Sequence, residues 1–350
     1  MRAVVVGAGL GGLVAAHGLR SIGVDVEVFE ARRPYDAGGL GYRINVSVGG
    51  DRALRGCLSP ENFAEYRATV HRQPTPLVDI YSPSLELILR RKAPGAPGAI
   101  DRGTLLTLLA KTLDAPIHWA SPVGSVDDLA GFDLVVAADG VGSALRRRLL
   151  PGYDPAPLGI TALYGRSRLT DSNRSWIGKT VLDSRFTGVT DGATTLALGA
   201  FDVPSSISEP YVMWVLLGPA DEFPTRGQNP AELVEFTRQR LSAWDPRATA
   251  VLHDAIVDDT FRITLRAMDV VPEMTFRSSV PVAFLGDAIH AMSPAGGEGA
   301  NTAFIDAYDL RTRIAAGSDV QSAVLAYHES MKDRAKQTIT RSKDYSRTGA

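Results

Sequence analysis

The sequence predicts a mixed α/β protein, α+β overall. A parallel-sheet core is interrupted by a mostly antiparallel sheet and closed by C-terminal helices. Three observations carry this. The first thirty residues read as strand, glycine turn, helix and strand, ending at Glu30. From about residue 157 to 268 the texture changes to short apolar runs separated by Gly, Pro and Asp. At 280–287 a buried-type strand returns and two helical patterns follow. The chain thus leaves its first domain and comes back. We expect one discontinuous domain from 1–76, 99–156 and 269–350, and an inserted sheet domain from 77–98 and 157–268.

Residues 3–6 form a continuous apolar run, as in a strand buried on both faces. Leu10, Leu13, Val14 and Leu19 recur near helical spacing, and Val24 to Phe29 is a second short strand. Residues 31–56 hold Gly38, Gly39, Gly41, Gly49 and Gly50 and read as a surface crossing followed by a helix. Residues 78–91 suggest a hairpin around Ser82-Pro83-Ser84. Ala93 to Gly98 is a Pro/Gly linker, Arg102 opens an apolar helix, and Phe132 to Ala138 is a buried strand. Strand-like runs follow at 160–169, 179–189, 193–201, 210–218 and 261–268. Among them Asn229, Pro230 and Glu232 have the spacing of a capped helix start. Leu233, Phe236, Arg240 and Trp244 continue at helical spacing, with core packing expected for the aromatics. The last helices are expected at about 299–316 and 320–345.

Composition excludes several classes. Of 350 residues, 45% are hydrophobic and 22% charged, and the net charge of −2 offers no electrostatic basis for binding nucleic acid or anionic membrane. The lone Cys57 cannot form an internal disulfide, and no Cys/His cluster has metal-ligand spacing. No stretch of about 18 apolar residues could span a bilayer. The expectation is a cytoplasmic protein, monomer or homodimer, without metal, membrane or nucleic-acid partners.

Three glycine-bearing segments carry the chemistry. Gly7-x-Gly9-x-x-Gly12 between strand and helix suits a pyrophosphate: a tight turn, close backbone approach, and close helix–strand packing. The helix start offers free N–H groups and partial positive charge. Glu30 stands where a carboxylate accepts hydroxyls of an adenosine ribose. Leu10, Gly11 and Ala31 complete that candidate set. The second segment is Asp133 to Gly140, with Asp139 as a further candidate. The third runs Gly286-Asp287 to Gly296-Gly297-Glu298-Gly299-Ala300-Asn301. There an aspartate can accept a ribityl hydroxyl, glycines let a flat ring approach, and a helix start can stabilise negative charge on a reduced flavin. NAD has no ribityl chain, so this segment favours FAD.

These segments resemble the single-component, class A flavoprotein monooxygenases, the para-hydroxybenzoate-hydroxylase-like family, particularly its salicylate-hydroxylase-like and tetracycline-oxidising branches. Gly7, Gly9, Gly12 and Glu30 match the family's start. Arg102 with Leu105 and Leu109 matches its cofactor-contacting arginine. Asp139-Gly140 with Ser143 and Arg146 matches its Asp-Gly segment. Gly286-Asp287-Ala288-x-His290-x-x-x-Pro294-x-x-Gly297-x-Gly299-x-Asn301 matches without a break. The resemblance implies a Rossmann-like FAD-binding domain and non-covalent FAD. NAD(P)H would be a transient co-substrate, and one atom of O2 would pass from a flavin hydroperoxide to a small aromatic or polyketide-type molecule. It also implies that Arg43 lies over the flavin, where it could bind an anionic substrate or shape ring movement; the alternative for Arg43 is a surface ion pair. His290 is expected to be structural. Tyr164, Arg166, Tyr211, Met213 and Trp214 are pocket candidates, about half of which period-two alternation turns inward. The rivals are an FAD dehydrogenase or reductase on the same scaffold and a non-catalytic flavin-binding module. A flavin halogenase lacks its Trp-x-Trp-x-Ile-Pro signature here.

Overall fold

The computed structural model describes residues 1–34, 41–93, 95, 97–225, 228–294, 296–317 and 319–348. Gly38 and Gly39 lie outside these residues. The opening βαβ unit is β1 (Arg2–Val6), α1 (Leu10–Arg20) and β2 (Asp25–Phe29). The crossing holds β3 (Arg43–Val46), α2 (Val48–Cys57) and α3 (Pro60–Ala68). Then come β4 (Leu77–Tyr81), β5 (Leu87–Lys92), β6 (Gly98–Asp101), α4 (Arg102–Thr112), β7 (Ile117–His118), β8 (Leu134–Ala137) and α5 (Ala144–Leu149). The middle of the chain gives β9 (Ala156–Arg168), α6 (Arg174–Ile177), α7 (Lys179–Asp183), β10 (Phe186–Thr190), β11 (Thr195–Phe201) and β12 (Tyr211–Pro219). It continues with α8 (Pro230–Arg240), α9 (Pro246–Thr249) and β13 (Phe261–Ala267). β14 (Val282–Phe284), α10 (Asp287–His290), α11 (Gly299–Ala315) and α12 (Val320–Thr348) follow.

A five-stranded parallel sheet, ordered β14-β8-β1-β2-β7, forms the nucleotide side. Val4, Val5, Val135, Val136 and Ala283 are fully buried, which explains the unbroken apolar runs: both faces of a parallel sheet are covered. α1 packs on α11, and α11 in turn packs on α2 and α12. Residues 77–92 and 156–267 supply a seven-stranded sheet, ordered β13-β9-β12-β11-β10-β4-β5, antiparallel except for β10 beside β4. A small β3–β6 ribbon is tied to the large sheet: Tyr211 of β12 donates to Asp101 of β6 at 2.9 Å.

Alternation divides the large sheet. Val212, Trp214 and Leu216 join Leu163, Leu198, Leu233 and Leu241 in a core on one face. Tyr211, Met213 and Val215 join Phe201, with Tyr164 packed against them, on the other. The α8 start has both capping-box bonds between Asn229 and Glu232, and Phe236 packs on the core as expected. Trp244 is also in that core but lies beyond the helix, which ends at Arg240.

The expected strand over 179–189 is half wrong. Residues 179–183 are α7, entered through Gly178 at φ 80°, and only 186–190 are strand. Over so short a run, periodicity does not separate the two states. Within the crossing, β3 and α3 are additional elements. Ser59 caps α3, with Pro60 at its start.

Trp214 is fully buried beneath α8, and a Cβ on facing Gly165 would stand 2.0 Å from its ring. Trp214→Ala is therefore expected to cost about 3–5 kcal/mol, read as a lower urea midpoint. An unchanged midpoint would place this ring outside the core.

Candidate functional site

The glycines of the first turn do different work. Gly7 sits at φ +109°, and a Cβ there would stand 2.3 Å from the Ala138 carbonyl oxygen at the end of β8. A Cβ on Gly12 would stand 2.0 Å from the Gly7 carbonyl oxygen. These two allow the strand–helix packing. A Cβ on Gly9 would meet nothing within 4 Å, so the α1 start faces open space. Gly11, grouped above with the ligand set, turns its Cα toward α11: a Cβ would stand 2.9 Å from that of Ala303. What it can offer a ligand is its N–H. The Leu10 side chain is buried in the core, whereas Ala31 is exposed. Glu30 closes the turn by accepting the N–H groups of Ala8 at 2.7 Å and Arg32 at 2.8 Å. An ionised carboxylate has about four lone-pair sites, so acceptor capacity remains.

The second segment is largely structural. Asp139 Oδ2 accepts the N–H groups of Ala144 and Leu145 at the start of α5, and Ser143 caps the same helix. Asp139 Oδ1 is buried without a partner. Arg146 is wholly buried and donates to the carbonyls of Ala288 at 2.9 Å and Val141 at 3.0 Å, and to Asp154. It staples the turn that carries Asp287.

The third segment faces the same opening as the Gly9 turn. Gly286 adopts φ +61° and starts α10. Asp287 is exposed to solvent there, yet protein surrounds it. Burial pushes its carboxyl above the ordinary value, opposed by the positive charges of His290 and Arg102. Arg102, at the first position of α4, is lowered by burial and by neighbouring Arg32. Two guanidinium groups and one carboxyl therefore share this cleft. Pro294 and Gly297 are exposed beside it, and Gly299 lies 3.9 Å (as an ideal Cβ) from Asp287 Oδ1. The Asn301 side chain is consumed within the protein. Its Nδ2 donates to the carbonyls of Asn45 and Gly297 at 2.9 Å, and its Oδ1 accepts the Ser47 N–H at 2.8 Å. It clamps the loop onto β3 and α2, leaving only backbone for a ligand.

Among the longer described helices, capping separates the cleft from the rest; the short α6, α7 and α10 also lack a side-chain cap. Ser47, Ser59, Asp101 and Asn229 cap α2, α3, α4 and α8. α1 and α11 begin at Gly9 and Glu298 with no side-chain cap. The first N–H groups of a helix need an acceptor, and at these two starts an anionic or polar ligand can supply it. This unfilled acceptor requirement, with the open space at Gly9 and Gly297 and the charges of Arg102 and Asp287, fits a flavin dinucleotide. His290 is remote from such a role: it is buried, with Nε2 2.6 Å from Asp306 Oδ2. Burial opposes its charge, but Asp306 raises its pKa above the ordinary value.

On the sheet side, Tyr164 and Met213 share the cleft-side face, and Tyr164 stacks on Phe261 with centroids 5.4 Å apart. Arg166 grips Asp259 through Nε and Nη2 and lies 4.8 Å over the Tyr42 ring. Tyr211 is on the same face but 2% exposed, its hydroxyl spent on Asp101. Trp214 is corrected outright: neighbouring Met213 takes the inward register, so the indole points into the opposite core. Tyr42 and Phe261, paired at 5.6 Å, join this face unanticipated. The flanking glycine Gly41 was the signal available for Tyr42. Arg43 is 6% exposed and donates to the Arg185 carbonyl at 2.9 Å. It is in no surface ion pair, because the β3 strand tucks it against Gly199 of β11.

A 470 Å³ hollow lined by Met1, Asp133 and Pro281 lies at the opposite, N-terminal edge of the parallel sheet. Ligands of such sheets bind at the carboxyl ends of strands, so it is not this site. No group of three or more His, Cys, Asp or Glu that could hold a metal occurs among the described residues. Nor is any described helix long and apolar enough to cross a membrane.

Residues 215–342 match the family described as an FAD binding domain, and residues 5–70 match an NAD(P)-binding Rossmann-like domain. The dual O-methyltransferase/FAD-dependent monooxygenase CTB3 of Cercospora beticola is 26% identical over 97% of this chain and 45% of its own length. The chain thus spans less than half of that relative. The FAD-dependent monooxygenase vrtH of Penicillium aethiopicum is 25% identical over 97% of this chain and 90% of its own length. A Photorhabdus luminescens structure assigned as an FAD-containing monooxygenase aligns with TM-score 0.83 at 25% identity, covering 98% of this chain and 96% of that one.

If Asp287 orients the ligand, Asp287→Ala is expected to lower FAD occupancy and to slow flavin reduction even at saturating FAD. Wild-type reduction rates in the fully reconstituted variant would remove Asp287 from the site.

Proposed function

We propose that this chain, which is similar over nearly its whole length to FAD-dependent monooxygenases, uses NAD(P)H and O2 to insert one oxygen atom into a small aromatic or polyketide-type molecule. The observation that supports this best is the cleft itself. Two uncapped helix starts, α1 and α11, open beside Arg102 and Asp287 and near an aromatic sheet face.

In this reading the N–H groups at Leu10, Gly11 and Gly12, with Arg102, hold the pyrophosphate, and Glu30 accepts the adenosine ribose hydroxyls. Asp287 accepts from the ribityl chain. The N–H groups of Gly299, Ala300 and Asn301 face the pyrimidine ring, where a helix start stabilises negative charge. Bound FAD supplies the redox and oxygen chemistry. The protein positions and shields. Tyr42, Tyr164, Met213 and Phe261 form an apolar wall that excludes water and suits a flat substrate. Asp139 holds α5 through Oδ2 and keeps its unpartnered Oδ1 as a candidate cofactor contact. Among the described residues no second strand–GxGxxG–helix unit is present to retain nicotinamide, so NAD(P)H binds transiently and leaves before oxygen transfer. A cytoplasmic monomer or homodimer completes the reading.

The test is to incubate the FAD-loaded protein with NAD(P)H, labelled oxygen gas and a panel of phenolic and polyketide-type aromatics. One labelled atom in the product and substrate-accelerated NAD(P)H oxidation are expected. Label taken from water, or product formed anaerobically with NAD(P)+ as acceptor, would favour the dehydrogenase reading instead.

A further inference from the structure

Beside the start of β10 lies a cavity of 330 Å³ bordered by Arg67, Arg72, Gln73, Thr75, Pro97 and Arg185. The charge of Glu298 reaches Arg185, so the cavity adjoins the glycine loop of the main cleft. Its charge is one-sided. Arg67 is paired with Asp51 at 2.9 Å, and Glu298 acts on Arg185. Arg72 is exposed on the wall, and among the described residues no carboxylate lies within ion-pair distance of it.

Unsatisfied polar atoms gather at the same place. Gln73 Nε2, on the cavity wall, is buried without a partner, and so is His71 Nε2 two residues earlier. Behind the wall, the Arg43 guanidinium donates one bond to the Arg185 carbonyl while its Nε is left unpaired. Burial pushes Arg43 down to about 10, so it stays charged at neutral pH. Burial and then the Arg43 charge lower His71, against the pull of Asp202. Buried donors without acceptors are costly and uncommon. The Gln73 amide donor and the Arg43 and Arg72 cations around one cavity call for an acceptor with negative charge, whereas the His71 nitrogen, on a ring kept neutral, can accept as well as donate.

We propose that this cavity binds the anionic oxygen group of a small molecule, a phosphate or a carboxylate, held by Arg72 and Gln73 with Arg43 as the buried charge behind them. The monooxygenase reading enters only in naming the source of that group: a phosphate of the nicotinamide co-substrate, or an acidic group on the substrate.

The experiment is calorimetric titration of inorganic pyrophosphate into the FAD-loaded protein, so that the dinucleotide site is filled. Wild type is expected to bind one equivalent. Arg72→Ala, on an exposed side chain, should bind about tenfold more weakly with unchanged FAD content and thermal midpoint, and Arg72→Glu should lose binding. Flavin reduction then separates the sources. Competition of pyrophosphate with NAD(P)H identifies the co-substrate phosphate; retained binding without competition identifies the substrate's acidic group. No binding by wild type, or equal affinity in wild type and both variants, overturns the proposal. The titration needs no turnover, so a failed oxygen-label experiment would leave its outcome intact.

Discussion

The cleft depends on one buried carboxylate. Asp306, inside α11, accepts the Gly286 N–H at 3.1 Å and the His290 ring at 2.6 Å through Oδ2, and the Arg334 guanidinium of α12 at 2.8 Å through Oδ1. Burial works against its charge, but His290 and Arg334 keep its pKa below the ordinary value. A buried charge is tolerable only when paired and hydrogen-bonded this fully. The result ties the turn after β14 to the two C-terminal helices. Arg146 holds the other side of that turn through the Ala288 carbonyl. Asp287 is therefore set in place before any ligand arrives.

The remaining walls are positioned by similar single-residue links. Asp101 caps α4 through the Thr104 N–H at 2.8 Å and accepts the Tyr211 hydroxyl through its other oxygen. The helix that presents Arg102 is thus tied to the large sheet. Asn301 joins the glycine loop to β3 and α2. Side chains that look available from their motif are committed to holding the cleft open, and in the proposed reading its chemistry falls to backbone N–H groups, Arg102, Glu30 and Asp287. Catalytic scaffolds gain from such preorganisation because the groups need not reorient during reaction.

Much of this is legible in the sequence, for physical reasons. The apolar runs of buried parallel strand, the Gly7–Gly12 turn and the Gly286–Asn301 segment are local, and local steric demands leave a local pattern. Ala3 to Val6 and Leu134 to Ala137 pair as neighbouring parallel strands in the same sheet. What the sequence hides is set by distant neighbours. Gly9 and Gly11 are the same residue type two positions apart, yet one faces open space and the other Ala303. Met213 and Trp214 differ by one step of the strand and so lie on opposite faces, which composition cannot order. Lys179 to Asp183 folds as a helix entered through the positive-φ turn at Gly178, which the short local pattern does not separate from a strand. Tyr42 gains its place from Arg166 and Phe261, more than a hundred residues away.

Among the described residues no side chain caps the backbone N–H groups at the starts of α1 and α11, and FAD is expected to supply their acceptor. Hydrogen–deuterium exchange with and without FAD reads this directly. Slower exchange at Leu10–Gly12 and Gly299–Asn301 on FAD addition is predicted, with the capped start of α8 unchanged. Equal exchange at both cleft segments in the two states, with FAD demonstrably bound, would contradict it.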